Sequence, residues 1–145
     1  MYIKARTNVH RTIYHLVWVT KYRKAMFTTP ERRQAMKAFL FVIAEKNAVT
    51  ILESEILDDH VHLVVSFPPH KSISSVMKAL KGASARDWFK QFPDTKKELW
   101  KGSLWSKSYF VSTVGDVSKD VVIAYVQNQL TEYNSGRSRR DPSLS

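Results

Sequence analysis

The chain has 145 residues, 43% of them hydrophobic and 25% charged, which suits one folded domain and excludes a disordered polyelectrolyte. There is no cysteine, so disulfides and thiolate metal sites are excluded and a reducing cytoplasm is the expected setting. Lys and Arg number 23 against 13 Asp and Glu, a formal charge of +10. An excess of that size on so short a chain points to a polyanionic partner, nucleic acid before a membrane surface. The mixed, polar stretch Met1 to Arg11 does not read as a signal peptide, and no apolar run is long enough to span a membrane.

The elements alternate without a repeat or an interior linker. Thr12 to Thr20 (TIYHLVWVT) is rich in β-branched and aromatic residues and is predicted to be a strand. Thr28, Thr29 and Pro30 supply a helix start, with proline in the first turn, and the helix is expected to run to about Asn47 with Met36, Leu40 and Ile43 on one stripe. Val49 to Leu57 and His60 to Phe67 read as two strands joined by an Asp58-Asp59 turn. In the second, Val61, Leu63, Val65 and Phe67 share one face, and His60, His62, Val64 and Ser66 the other. Pro68-Pro69 ends it. A second helix is expected from about Ser72 to Phe89. Its inner stripe is Ile73, Val76, Met77, Leu80, Ser84 and Trp88, with Lys78, Lys81 and Arg86 on the opposite arc. Leu104 to Val114 reads as a fourth strand, and Asp116 or Ser118 caps a third helix to about Asn134. The order β-α-β-β-α-β-α predicts an α+β fold, a ferredoxin-like antiparallel sheet plus one extra C-terminal helix. One domain is expected over 1–135, and a loose, solvated tail over 136–145.

His60-Val61-His62 puts two imidazoles on one strand face, where both reach one ion while Val61 anchors the strand in the core. Neutral imidazole is a good ligand for divalent metals. Alone, the pair is a weak signal, better read as two half-exposed strand histidines than as a metal site. Tyr125 and Gln129 lie four residues apart on the third helix and so stack on one side of it, at the border of the stripe Val122, Val126, Leu130 and Tyr133. Together the four have chemical sense. A phenol attacks a phosphodiester, a neighbouring metal polarises it, and two imidazoles plus one amide oxygen leave open positions suited to Mg²⁺ or Mn²⁺. The general base for Tyr125 stays open between the metal, a basic neighbour and the substrate.

Four blocks carry a resemblance: Tyr14 to Phe27 (YHLVWVTKYRKAMF), Ser72 to Arg86 (SISSVMKALKGASAR), Leu104 to Gly115 (LWSKSYFVSTVG) and Tyr125 to Gln129 (YVQNQ), with the His60-Val61-His62 motif between the first two. The chain resembles the single-tyrosine His-hydrophobic-His transposases of the insertion-sequence 200/605 type from about residue 9 to 134. The resemblance implies that His60, His62 and Gln129 are the metal ligands and that Tyr125 is the nucleophile. It also implies cleavage of single-stranded DNA near hairpins, a 5′-phosphotyrosine link with a free 3′-hydroxyl, and a homodimer whose tyrosine helices complete each other's sites. DNA contacts are expected from Lys21, Tyr22, Arg23 and Lys24 after the first strand, from Lys78, Lys81 and Arg86, and from Lys107 on the fourth; a solvated surface is the other reading of each cluster. Two further functions compete. One is a relative that uses the same chemistry for another purpose, a domesticated transposase acting on palindromic repeats or a replication-initiation or plasmid-relaxing nuclease. The other is a non-enzymatic ferredoxin-like nucleic-acid-binding module. A two-histidine phosphoesterase needs a second histidine motif, which His10, His15 and His70 do not supply.

Overall fold

The computed structural model of the protein describes residues 12–99 and 102–114. The expected third helix and tail, and with them Tyr125 and Gln129, lie outside the described residues. Four strands form one sheet: β1 (Thr12–Val19), β2 (Thr50–Ile56), β3 (His60–Phe67) and β4 (Phe110–Thr113). Their order is β2-β3-β1-β4, and every pairing is antiparallel. Helix α1 (Pro30–Lys46) links β1 to β2, and α2 (Ile73–Gln91) links β3 to β4, so the expected ferredoxin-like α+β fold is present.

The helix starts follow from their caps. Thr29 accepts the Arg32 amide with Pro30 at the first helical position, and Ser72 accepts the Ser75 amide; each satisfies one orphan donor of a first turn. Met36, Leu40, Ile43 and Ala44 of α1 are buried, as are Val76, Met77, Leu80, Ser84 and Trp88 of α2. They close on Leu16, Trp18, Val61, Leu63, Val65 and Phe67 from the two central strands. Aromatic edges lock this layer: Phe27 meets Trp88 at 5.0 Å and Trp18 meets Trp105 at 5.6 Å, both near perpendicular, the arrangement that ring quadrupoles favour. The opposite face of the central strands carries the polar residues, and β3 is buried on both sides.

The fourth strand is shorter than expected. Only Phe110–Thr113 pair continuously with β1; Trp105 makes one isolated bridge to Thr20. Between them the backbone leaves the ladder, and there Lys81 of α2 takes the carbonyls of Ser106 and Ser108, at 2.7 and 3.3 Å. A short 3₁₀ segment, Pro93–Glu98, follows α2. Its Thr95 hydroxyl accepts the Trp88 indole N–H at 2.9 Å, which gives that fully buried ring its polar partner.

Candidate active site

Antiparallel register decides which side chains share the polar face. Val19 is opposite His60, Val17 opposite His62 and His15 opposite Val64, while Glu55 of β2 is opposite His62. His15, His60, His62 and Glu55 therefore project from one side of the sheet. The three histidines are nearly enclosed, 4%, 8% and 6% exposed. His60 and His62 sit two residues apart on one strand face, about 7 Å along β3.

Each histidine is held differently. The Nδ1 of His60 is 2.9 Å from Oδ1 of Asp59, which leaves its Nε2 as the lone-pair nitrogen when Nδ1 carries the proton. The Nε2 of His62 is 3.3 Å from Nδ1 of His15, with the rings stacked at 5.6 Å. Its Nδ1 is 3.8 Å from the Oε1 of Glu55, too far for a hydrogen bond. Asp59 is in turn bonded at 2.6 Å by the Arg23 guanidinium, and both side chains are largely buried. Burial pushes the Asp59 carboxyl upward, but the hydrogen bond from His60 and the charge and hydrogen bond of Arg23 outweigh it, so the group stays below its ordinary range.

The hairpin that carries Asp59 is clamped by the segment after β1. Leu57 and His60 close a two-residue turn. It has no residue at positive φ, so it lacks the geometry that best matches strand twist. Backbone donors from elsewhere fix it: Thr20 N–H reaches the Asp59 carbonyl, and the amides of Met26 and Phe27 both reach that of Asp58, each at 2.9 Å. To bring the Arg23 side chain to Asp59, the chain passes through two consecutive left-handed residues, Tyr22 (φ 57°) and Arg23 (φ 52°). A non-glycine residue there costs of order 1–3 kcal/mol, and such strain persists only where surrounding contacts hold it.

The sequence-predicted site residues that are described fall into three groups. His60 and His62 are together on the polar face. Lys21, Tyr22, Arg23 and Lys24 form the turn at the end of β1, beside His60; Arg23 turns inward to Asp59, whereas Tyr22 is 37% exposed with the Lys21 ammonium 5.4 Å from its ring centre. Lys78 and Arg86 are exposed on α2 and Lys107 just before β4. Lys81 is half-buried on its two carbonyls, and its amine is held down to about 8 by burial. Lys81, Arg86 and Lys107, with Lys90 and Lys96, line a groove of about 650 Å³ on the helix side. Tyr125 and Gln129 lie outside the described residues. Sequence reasoning missed Asp59, whose only signal is its place directly before the His-x-His motif, and His15, which nothing local ties to His62.

The donor set fits a divalent cation. Two buried imidazoles share a face, one with its Nε2 left for a ligand, and among the described residues no group of three or more His, Cys, Asp or Glu side chains is gathered to bind an ion by itself. A divalent cation held by this pair would take a further ligand from another element.

A sheet face with two buried histidines, set in a basic ferredoxin-like chain, has the form of a nucleic-acid-processing domain. The chain belongs to the IS200-like transposase family, whose pattern matches residues 8–129, a range that contains Tyr125 and ends on Gln129. It is 38% identical over 126 residues to the ISDra2 transposase TnpA of Deinococcus radiodurans, covering 87% of this chain and 89% of that protein. It is 36% identical over 129 residues to the transposase of insertion sequence IS200 from Salmonella typhimurium, covering 89% and 84%. A crystal structure of a Deinococcus radiodurans protein described as a transposase superposes with a TM-score of 0.73 at 36% identity, over 93% of this chain and 97% of that one. The REP-associated tyrosine transposase bound to a REP hairpin shares the fold, with a TM-score of 0.54 at 13% identity over 94% and 76%. The chain is thus a DNA transposase of α+β fold. Among the described residues no helix is long and apolar enough to cross a membrane.

Proposed function

We propose that this transposase cuts and rejoins single-stranded DNA through a 5′-phosphotyrosine on Tyr125, at hairpins near the ends of its own insertion sequence, in the cytoplasm. The observation that carries the reading is the buried His60–His62 pair on one sheet face, with a carboxylate on the far nitrogen of His60. His60, His62 and the Gln129 amide oxygen would hold Mg²⁺ or Mn²⁺; the bound ion would polarise the scissile phosphate and orient it. The Tyr125 phenolate oxygen attacks phosphorus, the P–O3′ bond breaks, and the departing 3′-oxygen takes a proton. The 5′-phosphate stays on the tyrosine, so the bond energy is kept and no nucleotide cofactor is consumed. In the reverse step a 3′-hydroxyl attacks the same phosphorus, and the phenol leaves with that proton.

The cations divide the DNA between two surfaces. Lys21, Lys24 and the exposed ring of Tyr22 stand beside His60 and suit the single strand, by phosphate pairing and base stacking. The groove with Arg86, Lys90 and Lys107 lies on the helix side and suits the duplex stem of a hairpin; a protein of this fold is described bound to one. A homodimer that completes each site with a tyrosine helix is part of the proposal. Identities of 38% and 36% to insertion-sequence transposases against 13% to the REP-associated protein favour an insertion-sequence end over a domesticated repeat as substrate.

The test is a denaturing gel of protein with Mg²⁺ and hairpin oligonucleotides from the ends of its element. A DNA-linked protein band is expected with the natural sequence and none with Tyr125→Phe. Substitution of either His60 or His62 by Ala should lower its yield at least ~100-fold, the usual scale for losing electrostatic stabilisation of a transition state. A band that persists in Tyr125→Phe contradicts the reading.

A further inference from the structure

We propose that Asp59 and Arg23 are positioning residues that hold His60 in the tautomer whose Nε2 lone pair faces the metal site, a proposal that rests on the metal-binding reading above. Three observations meet at this point. The Asp59 carboxylate is bidentate in effect, one oxygen at 2.9 Å from the His60 Nδ1 and the other at 2.6 Å from the Arg23 guanidinium. Being ionised, it can only accept, so the proton sits on Nδ1 and the lone pair on Nε2. The hydrogen bond from Arg23 Nη2 fixes the carboxylate rotamer, and the backbone around both is over-determined. Two left-handed residues deliver Arg23, and three amides from residues 20, 26 and 27 grip the Asp58 and Asp59 carbonyls. A surface ion pair needs no such scaffolding.

Glu55, opposite His62 on β2, is 60% exposed and its Oε1 is 3.8 Å from the His62 Nδ1, whereas the Asp59 side chain that faces His60 is 15% exposed at 2.9 Å. The Lys21–Lys24 turn thus has a second task besides facing DNA: its third residue reaches back to set the ligand.

Two readouts on the metal-free and Mn²⁺-titrated protein test this. Long-range ¹H–¹⁵N correlation on histidine-labelled protein reports the tautomer, and calorimetry with Mn²⁺ alone reports affinity. In the natural sequence His60 should show the Nδ1–H form. Asp59→Ala should release it to the mixture of an unconstrained ring and weaken Mn²⁺ binding about 10- to 100-fold. Arg23→Gln should keep the tautomer and weaken binding several-fold. Asp59→Asn keeps an acceptor oxygen, so it should retain the tautomer with an intermediate loss of affinity; it decides the matter should the alanine variant not fold, and unchanged Mn²⁺ affinity there overturns the relay. A folded Asp59→Ala protein with the tautomer or the affinity unaltered also overturns it. The metal reading fails separately, if His60→Ala binds Mn²⁺ as well as the natural sequence does.

Discussion

Lys81 shows how a cation in a basic protein can serve the fold first. Its amine bridges two carbonyls of the 106–108 segment and rests 5.8 Å from the Tyr109 ring centre. Burial lowers its pKa from 10.5 to about 8. The folded state therefore binds fewer protons than the unfolded state between about 8 and 10.5, and stability contributed through this residue rises across that window as the burial penalty is lifted. The neutral amine still carries N–H donors for both carbonyls. Lys81→Met should lower the melting temperature by several degrees, from the part-buried Ser106 carbonyl left without its donor at about 1–3 kcal/mol, the exposed Ser108 carbonyl turning to water. The deficit against the natural sequence should widen from pH 8 to pH 10, as measured by thermal melts. Asp59 has the opposite sign. Its folded pKa is depressed below 3.8, so its contribution is complete above that value and is lost as pH falls through the folded pKa. The stability gap between the natural sequence and Asp59→Asn should narrow as pH falls below 3.8 and through the folded pKa, as measured by thermal melts.

Among the elements, those whose signals are local were legible. β3 spans His60–Phe67 as the alternation predicts, because Val61, Leu63, Val65 and Phe67 alternate without a break until Pro68. Both helices start where a threonine or serine can cap them, and Ser72→Ala should cost about 1 kcal/mol in denaturant melts. What failed was decided at long range. Leu104 to Val114 reads as one strand, yet the part around Ser106 to Tyr109 leaves the ladder, where the Lys81 amine of α2 takes the carbonyls of Ser106 and Ser108. The turn 21–23 reads as a run of DNA-facing cations, and nothing local tells that Arg23 meets a carboxylate 36 residues on. His15 fails as part of a local motif and joins the polar face only once β1 lies against β3. The His-x-His pair itself was visible; what holds each ring was not.

At the scale of the molecule, basic side chains among the described residues gather at the turn beside the histidines and along the groove against α2. The +10 charge makes association strongly salt-dependent whatever the sequence bound. Lys107→Ala should weaken hairpin binding with no effect on Mn²⁺ affinity, and should reduce the slope of log K against log salt by about 1 if it pairs with one phosphate. Fluorescence anisotropy at several salt concentrations checks this. The account turns on which oxygen carries the DNA. Trypsin should release the peptide Asp120–Arg137, which contains both Tyr125 and Tyr133, and fragmentation mass spectrometry of the nuclease-trimmed adduct distinguishes them. A nucleotide on Tyr125 is predicted; a nucleotide on Tyr133, or on any serine or threonine, would contradict the account.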